Sequence, residues 1–375
     1  AYDARLQTIA DEVYADSSFF PAAASDGTPI QSAMAVVDTN NGAVLAMIGG
    51  RDYTVRRGLN RATQMRRQPG SALKPLAVYG PALELGYTTA SVLLDEKTSF
   101  GGYTPRNAGD RYYGLVTMRT AIRNSLNTTA VRLLEEIGLD ASIQYLNKMG
   151  IPTRNSDRNL SLALGSMTYG VTPVELAAAY VPYANGGIYH QPYCVERIET
   201  VDGSNVYERK DSGKQVLSAQ NAFLMTSLLQ SVVSSGTGTR MLAANTPIAG
   251  KTGTVSMTGG NRDIWMTAYT PEISVAVWMG YDQTDAKHKI SNGITGGRNT
   301  ASLAAAFFKK AYADREKPDF SQPDGLVWLT LDKRALTSRG SIMLASDKTP
   351  KEYRLSEVFA ASNRPYAVSD IWQAP

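Results

Sequence analysis

Apolar positions change their period along this chain, and each change marks a new region. In residues 1–16, Leu6, Ile9, Ala10 and Val13 recur at three- and four-residue steps, which predicts an amphipathic helix. The polar stretch Ser25-Asp26-Gly27-Thr28-Pro29 follows. Two β-rich runs come next, residues 34–38 and 43–48, separated by Asn40-Asn41-Gly42. Asn-Gly tolerates the positive φ of a tight turn, so these runs predict a hairpin.

From about residue 70 to 240 helical spacing dominates. One run passes from Thr117 through Ile122 to Leu126, and another from Thr129 through Leu133 and Leu134 to Gly138. Thr172-Pro173-Val174-Glu175 places threonine at an N-cap, proline at the first helical position and glutamate at N3. The helix it opens is predicted to stop at Asn185-Gly186-Gly187, and a further one covers 219–233. Strand character returns at 248–255, 264–269 and 273–278, with connections short enough to make antiparallel neighbours. After a helix near 300–312, residues 323–375 form a β-containing extension. The predicted fold is α+β: a five-stranded antiparallel sheet made from the early hairpin and the late meander, flanked by helices and carrying a large, mostly helical insertion.

Composition narrows the function classes. At 375 residues the chain can bury a large core, and 43% hydrophobic against 19% charged residues places it with globular proteins. A single cysteine, Cys194, excludes an internal disulfide framework and a thiolate zinc site, and two histidines leave little room for another metal centre. No metal or cofactor is expected. His190 and His288 stand in polar surroundings and read as solvated surface residues; the 20 tyrosines read as ordinary amphipathic packing. A net charge of +4 is too small to argue for a nucleic-acid partner. No stretch approaches the ~18–20 apolar residues of a membrane span, and Ala1-Tyr2-Asp3-Ala4-Arg5 is not a signal peptide. Any membrane anchor is expected to lie outside this chain.

Three segments carry candidate chemistry. In Gln68-Pro69-Gly70-Ser71-Ala72-Leu73-Lys74-Pro75, Ser71 sits where a turn enters a helix and shares a face with Lys74. A serine hydroxyl needs an adjacent base, and lysine serves as one only when its pKa is lowered. Pro75 cannot donate to the Ser71 carbonyl, so a distorted first turn is expected. The cluster Asn124-Ser125-Leu126-Asn127-Thr128-Thr129 suits a turn between helices. In a continuous helix Ser125 and Asn127 would point about 200° apart, so addressing one site requires the backbone to turn. There Ser125 could relay a proton and Asn127 could hold a substrate amide. On the strand Gly250-Lys251-Thr252-Gly253-Thr254, alternation puts Thr252 and Thr254 on one face and Lys251 with Gly253 on the other. Two hydroxyls with a nearby ammonium form a carboxylate receptor. Gly253 permits a close approach, and the Lys251 cation would disfavour protonated Lys74. A phosphate-binding loop is disfavoured: Asn245 stands where that motif needs glycine, and strand rather than helix follows.

Ser71-x-x-Lys74, Ser125-x-Asn127 and Lys251-Thr252-Gly253 each occur once, in that order, a triple known from serine β-lactamases and penicillin-binding proteins. From about residue 30 to 310 the chain resembles the transpeptidase domain of class A penicillin-binding proteins. The likeness includes Arg67-Gln68-Pro69-Gly70-Ser71, Pro105-Arg106-Asn107, Gly114-Leu115-Val116-Thr117, Thr172-Pro173-Val174-Glu175, Gly236-Thr237-Gly238-Thr239, Asp263-Ile264-Trp265 and Thr295-Gly296-Gly297. It implies an N-terminal linker helix and loop over 1–30, a penicillin-binding transpeptidase domain over 31–320 and a C-terminal extension over 321–375. It further implies Ser71 as nucleophile, Lys74 as base, Ser125 as proton relay, Asn127 on the donor amide, and Lys251, Thr252, Gly253 and Thr254 around the terminal carboxylate. The backbone N–H groups of Ser71 and Thr254 would form the oxyanion hole. Implied partners are peptidoglycan stem peptides ending in D-Ala-D-Ala, an acceptor amine, and β-lactams that acylate Ser71; the implied location is the extracytoplasmic face of the bacterial cell membrane.

The chain departs from the pattern in three places. Val255 stands where a small hydroxyl residue is common, which would trim the acceptor side of the cleft; the usual proline after Gly297 is missing; and the glycosyltransferase domain and membrane helix of the class are absent, as in an excised fragment. Rival readings are a serine β-lactamase, a D,D-carboxypeptidase and a non-catalytic β-lactam sensor. Glu175 is the candidate water-activating base of a β-lactamase, although its place in Thr-Pro-Val-Glu reads as a capping-box residue.

Overall fold

The computed structural model describes residues 1–52 and 55–372. Helix α1 (Ala4–Ala15) is capped by the Asp3 carboxylate, which accepts from the Leu6 N–H. Strands β1 (Gln31–Asp38) and β2 (Val44–Ile48) form the early hairpin. The insertion then begins with irregular helical turns over 70–79, α2 (Gly80–Glu84) and the short hairpin of β3 (Val92–Asp95) and β4 (Gly114–Thr117). Helices α3 (Met118–Arg123), α4 (Asn127–Ile137), α5 (Leu139–Lys148) and α6 (Pro173–Ala184) follow. Strands β5 (Ile188–Tyr189) and β8 (Lys214–Gln215) pair around the exposed hairpin of β6 (Arg197–Glu199) and β7 (Asn205–Glu208). Helix α7 (Ala219–Ser235) leads to the meander β9 (Ala249–Met257), β10 (Gly260–Tyr269) and β11 (Ile273–Gly280), and then to α8 (Ala301–Ala311). A last hairpin joins β12 (Leu326–Asp332) and β13 (Arg354–Ala360).

The central sheet has five antiparallel strands in the order β2-β1-β11-β10-β9, so the early hairpin joins the late meander through β1 and β11, as the α+β expectation required. Its strands read as nearly unbroken apolar runs because both faces are covered. Ala33, Ala35, Val37, Trp265 and Trp278 point into one core with α4, α6 and α7. Met34, Val36, Ile264, Val275 and Val277 point the other way, into a second core with α1 and α8. A third, small core of Ala90, Leu331, Leu336 and Phe359 seats the C-terminal hairpin beside β3.

The pattern missed the short hairpins inside the insertion, each with strands of only two to four residues. It also misjudged His190, while His288 does stand at the surface. His190 is 7% exposed and packs against Gly213, with Asp211 3.7 Å from Nδ1. His288 is held between Asp285 and Asp26, 2.8 Å from each, and these hydrogen bonds raise its pKa. The tyrosines do pack as expected: Tyr79, Tyr180, Tyr269 and Tyr312 are among the largest fully buried side chains. Cys194 is exposed, and among the described residues no helix is long and apolar enough to cross a membrane.

Candidate active site

The segment carrying Ser71 is helical but irregular, for a reason written into Pro75. Proline has no N–H for the Ser71 carbonyl, which accepts instead from Lys74 in a tight 3-10 turn over Gly70–Leu73. A π turn over Pro75–Tyr79 follows, closed by the Gly80 N–H on the Pro75 carbonyl. Two carbonyls of this segment also accept from tyrosines of α6: Tyr180 donates to Ala72 at 2.6 Å and Tyr183 to Pro75 at 2.9 Å. The preceding peptide is held as tightly. Trp265 donates to the Gln68 carbonyl at 2.9 Å. Gly253 and Gly165 lie so close on either side that a β-carbon on the first would come 2.3 Å from the Pro69 oxygen, and one on the second 2.1 Å from the Gly70 oxygen. In a 3-10 turn, side chains at i and i+3 eclipse, which keeps Ser71 and Lys74 on one face.

Ser125 supplies the backbone turn that its spacing from Asn127 demanded. It stands between α3 and α4 with φ +55°, in the left-handed region. The turn delivers acceptors to the Lys74 amine: the Ser125 carbonyl at 2.7 Å, Asn127 Oδ1 at 2.7 Å, the Leu126 carbonyl at 3.0 Å and Ser125 Oγ at 3.3 Å. Lys251 reaches the same Ser125 Oγ from β9, at 2.8 Å. Both lysines are fully buried. Burial, followed by the Lys251 charge, holds the Lys74 pKa well below the usual lysine range, with Asp95 opposing; burial pushes Lys251 down to about 7.

Ser71, Ser125, Asn127, Thr252 and Thr254 all line one cleft of about 500 Å³. Thr237 extends the hydroxyl row, its Oγ1 2.8 Å from that of Thr252, and Arg298 stands at the rim with its guanidinium on the Gly293 carbonyl. Gly253 faces away, against Pro69, as strand alternation requires. Val255 faces away too, one methyl 3.1 Å from where a β-carbon on Gly70 would sit, and Ser256 lines the cleft instead. The expected trimming by Val255 therefore does not occur.

Other candidates lie elsewhere. Glu175 completes a capping box with Thr172 and pairs with Arg66, outside the cleft. Gly250, Lys251 and Thr252 are strand residues, so the phosphate-loop reading fails. Among the described residues no group of side chains could hold a metal. Sequence reasoning missed Asp95 and gave Asn107 no role, yet Asn107 caps α4. The Leu126 N-cap has no side-chain acceptor, and Asn107 Oδ1 accepts from the Asn127 and Thr128 N–H groups at 2.7 and 3.3 Å. A cap supplied from 20 positions away leaves no local signal.

Known proteins resemble this chain over most of its length. The family profile for the penicillin binding protein transpeptidase domain matches residues 32–313. Penicillin-binding protein 1F of Bacillus subtilis is 44% identical over 297 residues, covering 78% of this chain and 40% of that protein. Penicillin-binding protein 1A of Pseudomonas aeruginosa is 30% identical over 400 residues, covering 91% of this chain and 46% of that protein. The chain thus spans less than half the length of these curated relatives. Among solved structures, penicillin-binding protein 1A from Haemophilus influenzae superposes with a TM-score of 0.76 at 26% identity, covering 92% of this chain and 56% of that one. The PonA1 protein of Mycobacterium tuberculosis, solved in complex with penicillin V, gives 0.72 at 25% identity, covering 86% and 87%. A profile spanning both halves of the central sheet and the insertion between them settles the assignment: this chain belongs to the penicillin-binding protein transpeptidase family.

Proposed function

We propose that this chain is a serine D,D-transpeptidase that cross-links peptidoglycan stem peptides and is acylated by β-lactams. The observation that carries this reading is the meeting of two buried lysines at the Ser125 hydroxyl, in the cleft that Ser71 also lines. A neutral Lys74 amine has two N–H bonds and one lone pair. Neighbouring acceptors take the hydrogens, and the lone pair accepts the Ser71 proton. Such a positioned base contributes about 10²–10⁴-fold.

Ser71 Oγ then attacks the carbonyl carbon of the penultimate D-alanine. The resulting oxyanion is stabilised by the Ser71 and Thr254 N–H groups; a donor of this kind is worth about 2.7–4 kcal/mol in other hydrolases. Lys251, Thr252 and Thr254 receive the terminal carboxylate, Asn127 holds the donor amide, and Ser125 passes a proton to the departing D-alanine nitrogen. An amine of a second stem peptide attacks the Ser71 ester, releasing the cross-link and the free hydroxyl. No cofactor enters. The cleft lining includes no Asp or Glu among the described residues that would serve as the water-activating carboxylate of a β-lactamase. We place this chemistry on the extracytoplasmic face of the bacterial membrane, where stem peptides are found.

Intact-mass measurement after penicillin exposure, followed over hours, tests the proposal. A long-lived adduct on Ser71, lost in Ser71→Ala, is expected. Regeneration of unmodified protein within seconds would identify a β-lactamase, and no adduct at all would refute acylation.

A further inference from the structure

A buried carboxylate outside the cleft is joined to the Lys74 amine by an unbroken path of hydrogen bonds. Asp95, at the end of β3, is completely buried and lies outside the cleft lining. Its carboxylate accepts from Asn107 Nδ2 at 2.8 Å, from the Tyr113 N–H at 3.0 Å and from the Thr128 hydroxyl. An ionised carboxylate can only accept, so it takes the NH₂ end of the Asn107 amide. That leaves Asn107 Oδ1 facing the first two N–H groups of α4, those of Asn127 and Thr128. Arg106, next in the chain, offers its carbonyl to Asn127 Nδ2 at 2.7 Å, so Asn127 Oδ1 is the end left for Lys74. Each amide is oriented by the group behind it.

We infer that Asp95 is a positioning residue for acylation: by orienting Asn107 it fixes the start of α4, the direction of the Asn127 amide and the place of the Lys74 amine. This inference rests on the acylating role proposed for Ser71 and Lys74. A purely structural carboxylate could have been served by any set of donors at the end of a strand. Here two of the three donors belong to the start of α4: Asn107 caps that helix and Thr128 is its second residue. Asp95 also acts through space. The charged groups that bear on Lys74 are Lys251 on β9 and Asp95 on β3, and only Asp95 favours the ammonium.

The test uses this chain with Asp95→Ala and Asp95→Asn, following acylation by a fluorescent penicillin from pH 5 to 9. The Ala variant frees Asn107 to turn, and the first-order acylation step should fall about 100-fold while affinity for the non-covalent complex changes less than about threefold. The Asn variant keeps the volume and one acceptor but loses the charge. Its acylation step should fall about tenfold, and the acidic limb of its pH profile should move to lower pH because the Lys74 amine is then free at lower pH. Wild-type acylation rates with an unmoved limb in the Asn variant, or a loss confined to non-covalent affinity, would overturn the inference. Should the Ala variant fail to fold, the Asn variant decides by the same two readouts. Failure of the wild-type chain to form a Ser71 adduct would instead refute the acylating role on which the inference stands.

Discussion

Lys74 and Lys251 direct their amines at one oxygen: Ser125 Oγ is 3.3 Å from the first and 2.8 Å from the second. Burial makes protonation of each costly, and two ammonium groups this close repel, so holding both protons at once is costlier still. The site therefore holds a proton-poor pair of lysines in a chain whose other lysines are mostly at the surface.

That arrangement predicts how stability changes with pH. Lys251 titrates near 10.5 when unfolded and about 7 when folded. Between those values the unfolded chain binds the additional proton, so stability rises with pH. The burial cost is fully present below about pH 7 and gone by about pH 10.5. Buried Tyr79 and Tyr145, whose pKa values are raised by burial, reverse the trend above their ordinary value of 10. The urea midpoint should climb between pH 7 and 9.5, and Lys251→Met should flatten the climb. Parallel curves for the two proteins would contradict a burial cost on the Lys251 ammonium.

Replacing Lys74 by alanine should slow penicillin acylation of Ser71 by about 10²–10⁴-fold, the usual worth of a positioned base. The comparison is made on protein shown to be folded by circular dichroism. Near-normal acylation would remove Lys74 from the role of base.

Gly165 tests the rigidity of the nucleophile segment. It has φ +75°, and a β-carbon there would meet the Gly70 carbonyl oxygen at 2.1 Å and the Gly70 nitrogen at 2.6 Å. These are backbone atoms, so no rotamer change relieves the clash. Gly165→Ala should cost about 1–3 kcal/mol in chemical denaturation and slow acylation, because the peptide before Ser71 must move. A variant with wild-type stability and rate would show that the segment yields freely.

A fourth prediction concerns the C-terminal hairpin. Glu357 on β13 is completely buried and pairs with Arg119 of α3, which also donates to the Ser227 carbonyl at 2.7 Å. Glu357→Gln leaves the guanidinium without its counter-charge and should destabilise by about 3 kcal/mol. Removing both partners in Arg119→Met with Glu357→Leu should recover much of that loss. A urea-based double-mutant cycle measures both, and additivity of the two single changes would deny the coupling.

Much of the frame was legible in the order of residues. The strands of the central sheet could be read because both their faces are covered, which turns them into continuous apolar runs, and the Thr172–Glu175 box marked the start of α6 because a capping box is a local exchange of hydrogen bonds. The irregular start after Ser71 followed from one missing N–H at Pro75. The small hairpin of β3 and β4 was not legible: its strands have four residues each, too few to display a period.

What the order of residues determined by itself was chemical identity and local geometry: which side chains can attack, donate or accept, and where the backbone must turn. Tertiary structure alone decided that Ser125 meets both lysines, that Asn107 caps a helix 20 residues downstream, that His190 is enclosed, and that Lys251 titrates near 7. The physical reason is one of range. Capping, turn formation and periodicity act over a few bonds along the chain, whereas desolvation and Coulomb interaction depend on distance through space, which exists only once the segments have packed.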